Sequence, residues 1–278
     1  MLLKENKYRT EIPRAVASGG SLRIVLSRRP SSLQWMHRIV SARTEGVPMR
    51  FWLISDTHNR HDELRVPNNV DAVIHCGDES ESMNVSKNER QARIFFQWFS
   101  GLEIEHKIFV PGNHSTAIEK GLIRPEEYPH IRFLIHQQTE LGGLVVFGTP
   151  YTPRFFNWAY MRERKELDGV WQTIPDRVDI LISHGPPKGI LDRTRDMASH
   201  KPIHVGSLSL TRHVRERIKP RVHAFGHIHD ELGIRNFGTV FDSETLFVNC
   251  SCCDQAIQLE NHGIVLEFEP SSGKFTRV

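Results

Sequence analysis

Five short apolar runs in this chain end in polar residues of the metal-ligand type. "RFWLIS" is followed by Asp56 and His58 in the order D-x-H, and "DAVIHCGD" ends on Asp78 behind a glycine. "HKIFVPGNH" delivers Asn113 and His114, "VDILISHGPP" delivers His184, and "RVHAFGHIH" delivers His227 and His229. Two histidines at i, i+2 in extended backbone project to the same side, and imidazole is the commonest metal ligand among side chains. Each piece alone is ordinary turn chemistry, because G-D and G-N are common loop dipeptides. Five of them, each directly after an apolar run, point to one shared site.

The elements that position these residues are short. Nine apolar runs of strand character occur between residues 49 and 269, the last four being "VDILIS", "RVHAF", "TLFVNCS" and "HGIVLEFE". Helical spacing marks "KNERQARIFFQWFSGL", with Ile94, Phe95, Trp98, Phe99 and Leu102 on one face, and also "NWAYMRERKELD" and "SLSLTRHVRERI". Ser207 is placed to cap the last of these. Apolar strands alternating with helices predict an α/β domain with packed sheets. In such sheets, sites form beyond the carboxyl ends of strands, and a glycine there lets the backbone bend and approach closely.

Composition narrows the function classes. The 278 residues carry a net charge of +3, but residues 1–50 hold ten Lys or Arg against three Asp or Glu, leaving 26 against 30 in the remainder. A mildly acidic body is a poor match for a nucleic-acid polymer, whose readers need a basic face. Residues 1–48 lack periodicity and read as a basic, poorly ordered extension, with the folded domain spanning 49–278. Their Arg and Ser content suits a mitochondrial targeting segment, while Glu5 and Glu11 oppose it. No apolar run approaches the ~18–20 residues that span a membrane. The four cysteines, Cys76, Cys250, Cys252 and Cys253, form no disulfide framework and lack C-x-x-C spacing. A cytoplasmic, reducing location is the expectation.

Together these motifs resemble the calcineurin-like metallophosphoesterase superfamily. "GTPYTPRFFNWAY", "DILISHGPPKGILD" and "GHIHDELG" further resemble its metallophosphoesterase-domain-containing subgroup, also described as class III cyclic nucleotide phosphodiesterases. The resemblance implies a four-layer α/β/β/α sandwich with two divalent metal ions at one edge. Asp56, His58 and His229 would hold one ion, Asn113, His184 and His227 the other, and Asp78 would bridge them. Oxygen and imidazole donors without thiolate suit Mn²⁺, Fe or Zn²⁺. Two such ions ~3.5–4 Å apart can polarise a phosphoryl oxygen and hold a hydroxide for in-line attack. By resemblance His114 faces the substrate, stabilising the transition state or protonating the leaving oxygen. The implied activity is a phosphoesterase, a phosphodiesterase rather than a monoesterase, acting on a small-molecule phosphoester such as a cyclic nucleotide. The competing expectation is a nucleotide-binding or protein-interaction scaffold with weak turnover.

One position departs from the family pattern: an acidic residue usually follows G-N-H, and here it is Ser115. A protein phosphatase of the family would carry an arginine soon after G-N-H, and "GNHSTAIEK" has none. His75 reads as a core or supporting residue and His223 as structural. Pro186 and Pro187 stiffen the loop that carries His184. Asn59 is a candidate phosphate contact. Phe155, Phe156 and Trp158 either pack a helix start or form an aromatic wall for a nucleobase, and Arg193 and Arg195 read as solvated.

Overall fold

The computed structural model describes residues 47–278. The extension expected over residues 1–48 lies, but for its last two residues, outside them. The chain forms β1 (Met49–Ile54), β2 (Ala72–His75), α1 (Val85–Gly101), β3 (His106–Phe109), α2 (Thr116–Glu119), β4 (Ile131–Phe133), β5 (Gln137–Leu141) and β6 (Leu144–Thr149). It continues through β7 (Thr152–Pro153), β8 (Met161–Arg162), α3 (Arg164–Gln172), β9 (Ile180–Ser183), β10 (Arg193–Arg195), β11 (Pro202–His204) and α4 (Leu208–His213). A π-helical turn (Val214–Ile218) follows α4, and the chain then passes through β12 (Val222–Phe225), β13 (Gly238–Asp242), β14 (Thr245–Asn249), β15 (Ile264–Glu269) and β16 (Lys274–Arg277).

Two six-stranded sheets carry the architecture, in the orders β16-β15-β1-β2-β3-β4 and β13-β14-β12-β9-β6-β5. Strands β1 to β4 run parallel in the first, as do β6, β9, β12 and β14 in the second. Parallel strands are covered on both faces and so read as continuous apolar runs. Alternate residues separate the faces. Phe51, Leu53 and Ile74 of the first sheet share a core with Val146, Ile182 and Ala224 of the second. Trp52, Ile54 and Phe109 point the other way, onto Phe95, Phe96 and Phe99 of α1. Phe147, Leu181 and Phe225 do the same against Leu167 and Trp171 of α3 and Leu210 of α4. Three cores therefore separate the helix, sheet, sheet and helix layers.

All nine expected strands are present. The strands that sequence patterning passes over include β5, β13 and β16, at or near sheet edges, whose residues are mostly exposed or half-buried. An edge strand can be polar because one side of it meets water. Helix α1 starts where Asn84 Oδ1 accepts from the Lys87 N–H at 3.0 Å. Its buried face runs through Ala92, Phe95, Phe96 and Phe99, and Ile94, expected on that face, is 56% exposed. Ser207 caps α4 as expected, its Oγ accepting from the Leu210 N–H at 3.3 Å.

The helix expected over "NWAYMRERKELD" is corrected. Residues 157–163 are not helical, and α3 begins at Arg164. Tertiary contacts override the helical spacing here: the Ala159 N–H donates to the Asn113 carbonyl at 3.1 Å, and the Tyr160 N–H donates to Glu119 Oε1 at 2.8 Å. Tyr160 also takes a left-handed φ of 54°, which no helix continues through. Among the described residues no helix is long and apolar enough to cross a membrane.

Candidate metal centre

The loops after β1, β2, β3, β9 and β12 meet at one end of the two sheets. Main-chain bonds join the first two: the Asp56 N–H donates to the Gly77 carbonyl at 2.8 Å and the His58 N–H to the Asp78 carbonyl at 3.1 Å. Across to the second sheet, the His227 N–H and the Ser251 hydroxyl both donate to Asp56 Oδ2, at 2.9 and 2.8 Å. Asp56, His58, Asp78 and His227 all adopt left-handed backbone, with φ of 51°, 41°, 61° and 68°. Non-glycine residues are rare in that region and persist where the surroundings over-determine them, as at functional sites. Two glycines are required for the approach. A Cβ on Gly226 would lie 2.0 Å from Asp56 Oδ2, and one on Gly112 would lie 2.2 Å from Asp78 Oδ1.

The histidines are oriented by main-chain carbonyls. His58 Nδ1 bonds the Ser80 carbonyl at 3.0 Å, His184 Nδ1 the Cys76 carbonyl at 2.9 Å, and His229 Nδ1 the Asp254 carbonyl at 2.9 Å. A carbonyl only accepts, so each Nδ1 carries the hydrogen and each Nε2 turns toward the centre. There His58 Nε2 and His229 Nε2 lie 3.4 Å apart, and His229 Nε2 is 3.1 Å from Asp56 Oδ1. His184 Nε2 lies 2.8 Å from Asn113 Oδ1 and 3.2 Å from Asp78 Oδ2. The ring of His227 stands 4.9 Å from that of His184. Donor atoms of Asp56, His58 and His229 converge within 4.8 Å of one another, as do those of Asp78, His184 and His227, and those of His58, Asp78 and His114.

This is a convergence of acceptors. Burial works against ionisation of Asp56, yet His229, with His184 and His58, holds its carboxyl well below the usual range. Asp78 is likewise lowered against burial by His184 and His114. Burial would push His184 down, but the Asp78 and Asp56 carboxylates raise it to about 9. Burial and the neighbouring His229 push His58 down to about 4. Burial and His184 push His227 down to about 3. The carboxylates thus draw positive charge to the centre: His184 and His229 are raised by Asp78 and Asp56, while His58 and His227 are kept neutral, the form in which imidazole ligates. The donor set fits divalent cations of the Mn²⁺, Fe or Zn²⁺ type.

His114 shares the carbonyl anchor and adds a tie to Asp78 and an aromatic neighbour. Its N–H donates to Asp78 Oδ1 at 2.7 Å, its Nδ1 bonds the Glu81 carbonyl at 2.9 Å, and the Trp158 ring stands edge-on at 4.1 Å. Trp158 is therefore a packing partner of His114. Behind it lies a residue that sequence reasoning missed. Glu79 is fully buried, with Oε2 accepting from the Ser115 hydroxyl at 2.6 Å and Oε1 from the Ser80 hydroxyl at 2.9 Å. Ser115 Oγ in turn accepts from the Gly112 N–H at 2.9 Å. Burial pushes the Glu79 carboxyl up to about 7, against both serine bonds. A carboxyl thus reaches the Ser115 position from the neighbouring loop. The one available signal was the adjacency of two acidic residues in "GDES".

His75 and His223 sit inside strands, as expected. His75 Nε2 bonds Thr57 Oγ1 at 3.0 Å and its Nδ1 accepts from the Gly77 N–H at 3.2 Å, while His223 Nε2 bonds Ser183 Oγ at 2.8 Å. All four cysteines are free and buried. The centre opens into a cavity of ≈ 640 Å³ whose walls include Phe155, Phe156, Met161, Met197 and Ile203, whereas Asn59 does not line it. Arg193 is exposed, and Arg195 lines the cavity while donating to the Leu232 carbonyl at 2.8 Å.

An α/β/β/α layering with an oxygen- and imidazole-rich cluster at the strand ends defines the structural class of the metallophosphoesterases. Residues 49–231 match the calcineurin-like phosphoesterase family, and the chain belongs to it. The metallophosphoesterase domain-containing protein 1 of Homo sapiens is 32% identical over 243 residues, covering 78% of this chain and 70% of its own. The protein of the same name from Mus musculus matches to the same extent. Among solved structures, the phosphopantetheinyl hydrolase of Mycobacterium tuberculosis aligns over 76% of this chain and 92% of its own, at 14% identity and a TM-score of 0.48. That likeness is too slight to bear on function.

Proposed function

We propose that the chain is a metal-dependent phosphodiesterase of small nucleotides, with 2′,3′- or 3′,5′-cyclic nucleotides as its substrate class. The observation that carries this is the pair of acceptor clusters around Asp78 at the mouth of an open cavity. In this reading Asp56, His58 and His229 would hold one divalent cation, Asn113, His184 and His227 would hold a second, and Asp78 would serve both. When bound, such cations supply Lewis acidity toward the phosphoryl group and lower the pKa of water toward ~7.

The chain's own residues do the rest. Carbonyl-bound Nδ1 atoms fix the ligand tautomers, and this outer support typically sustains metal affinity and activity about 10- to 100-fold. His114, tied through its backbone to Asp78 and through Nδ1 to the Glu81 carbonyl, presents Nε2 as the group that meets the substrate. Protonated there, it donates to the leaving oxygen as charge develops on it. Glu79 and Ser115 hold the segment that carries Asn113 and His114 in register with Asp78.

The test is Mn²⁺-supported hydrolysis of 2′,3′-cyclic AMP by the purified chain, beside Asp78→Ala. Turnover that disappears in the variant and with chelator is the expected result. Two bound metals without turnover above the variant would sink the cyclic-nucleotide substrate.

A further inference from the structure

We infer that the cavity beside the metal centre is an apolar-ester seat, which ranks phosphoesters by the apolar area of their alcohol part and extends the activity to alkyl and aryl phosphoesters. This rests on the phosphoester reading above and names which esters that site prefers. Two segments build the seat. One is the loop between β7 and β8, with Phe155 and Phe156; the other is the β10–β11 hairpin, with Met197 and Ile203. Phe156 is 62% exposed and Met197 is 73% exposed, although both belong to the wall of a cavity that also reaches His58, Asp78 and His114.

A folded chain gains nothing from leaving such side chains in water, and apolar residues clustered at a concave mouth mark a binding site. The backbone reinforces this. Phe156 holds a left-handed φ of 63°, costly for a bulky residue, and the Phe155 and Phe156 rings pack together at 4.4 Å. The opposite wall is braced rather than loose: Arg164 donates to the Val205 carbonyl at 2.7 Å and to the Gly206 carbonyl at 3.0 Å, and Arg195 to the Leu232 carbonyl at 2.8 Å. A preformed wall costs little ordering on binding. Phe155, Phe156, Met197 and Ile203 offer no side-chain donor or acceptor with the geometry that reads a base edge. These four side chains select by area, while Arg195, Asp196 and Gln255, which line the same cavity, supply its polar contacts.

Calorimetric binding of methyl-, butyl- and hexylphosphonate to the Mn²⁺-loaded full chain tests this without turnover. Affinity is expected to rise with chain length, by roughly tenfold for each pair of methylenes that the seat buries fully. Phe156→Ala and Met197→Ala should flatten that rise. Phe241→Ala, an equally exposed aromatic on β13 away from the cavity, should keep it. Binding of all three phosphonates with equal affinity overturns this inference and leaves the phosphoester reading standing. A rise that survives both seat variants, or that is lost equally in Phe241→Ala, also overturns it. Binding of none overturns the phosphoester reading, and this inference with it.

Discussion

Buried histidines occupy two regions of this molecule, and the tautomers they take there differ. Beyond the strand ends, His58, His184 and His229 give Nδ1 to main-chain carbonyls and turn Nε2 onto other acceptors. Inside strand β2, His75 does the reverse: Nδ1 accepts from the Gly77 N–H, so Nε2 carries the hydrogen to Thr57 Oγ1. Its ring lies stacked 5.3 Å from Phe109, and burial pushes it down to about 3. The residue type is the same and burial is similar. What separates His58, His184 and His229 from the core residue His75 is that an acceptor fixes the outer nitrogen and leaves the other aimed at the cluster.

The sharpest way to break that comparison is at the centre. On the proposed two-cation reading, His184→Ala should take bound metal from two ions per chain to one and cyclic-nucleotide hydrolysis to background, read by elemental analysis beside the rate. Retention of both ions would remove His184 from the ligand set. A middle-sized effect is expected at Glu79, which touches no substrate. Glu79→Ala should lower kcat by about 10- to 100-fold, the usual range for outer support of a metal site, while both ions stay bound. Ser115→Glu on that background should restore part of the loss by returning a carboxyl from the other loop. An unchanged rate in Glu79→Ala would reduce the residue to loop filler.

The smallest effect concerns a histidine of the other kind. His223 is fully buried beside Phe225 and Phe247, and burial pushes it down to about 3. A depressed histidine stabilises the fold above its unfolded value of about 6.5, and that contribution is lost as pH falls toward the folded value. Stability should therefore drop by about 1 kcal/mol between neutral pH and pH 5.5. Denaturant melts of His223→Phe should lack that part of the acid slope. Identical slopes in the two proteins would show that the ring already escapes burial in the native state.

The contrast also explains what was legible in the sequence. Asp56, His58, Asp78, Asn113, His114, His184, His227 and His229 stood out because each directly follows an apolar run, and parallel strands deliver such residues to one edge. The strands themselves were legible because burial on two faces leaves no polar interruption. Glu79 was not legible, since a carboxylate in a polar loop reads as solvated until the fold closes over it. The stretch from Asn157 to Glu163 misled for a related reason. Its helical spacing is real, but the Asn113 carbonyl and Glu119 take its N–H groups first. The β10–β11 hairpin carries polar and charged residues on short, exposed strands and gave no periodic signal.

The carbonyl anchors of the site histidines have a bearing on mutational robustness. Ser80, Cys76, Asp254 and Glu81 hold His58, His184, His229 and His114 through oxygens that every amino acid possesses. No codon change deletes a carbonyl. The side chains at those four positions are therefore released from the task of aiming the imidazoles, so long as the main chain keeps its path. Genetic drift can rewrite the collar of the centre while the aim of its histidines is inherited intact.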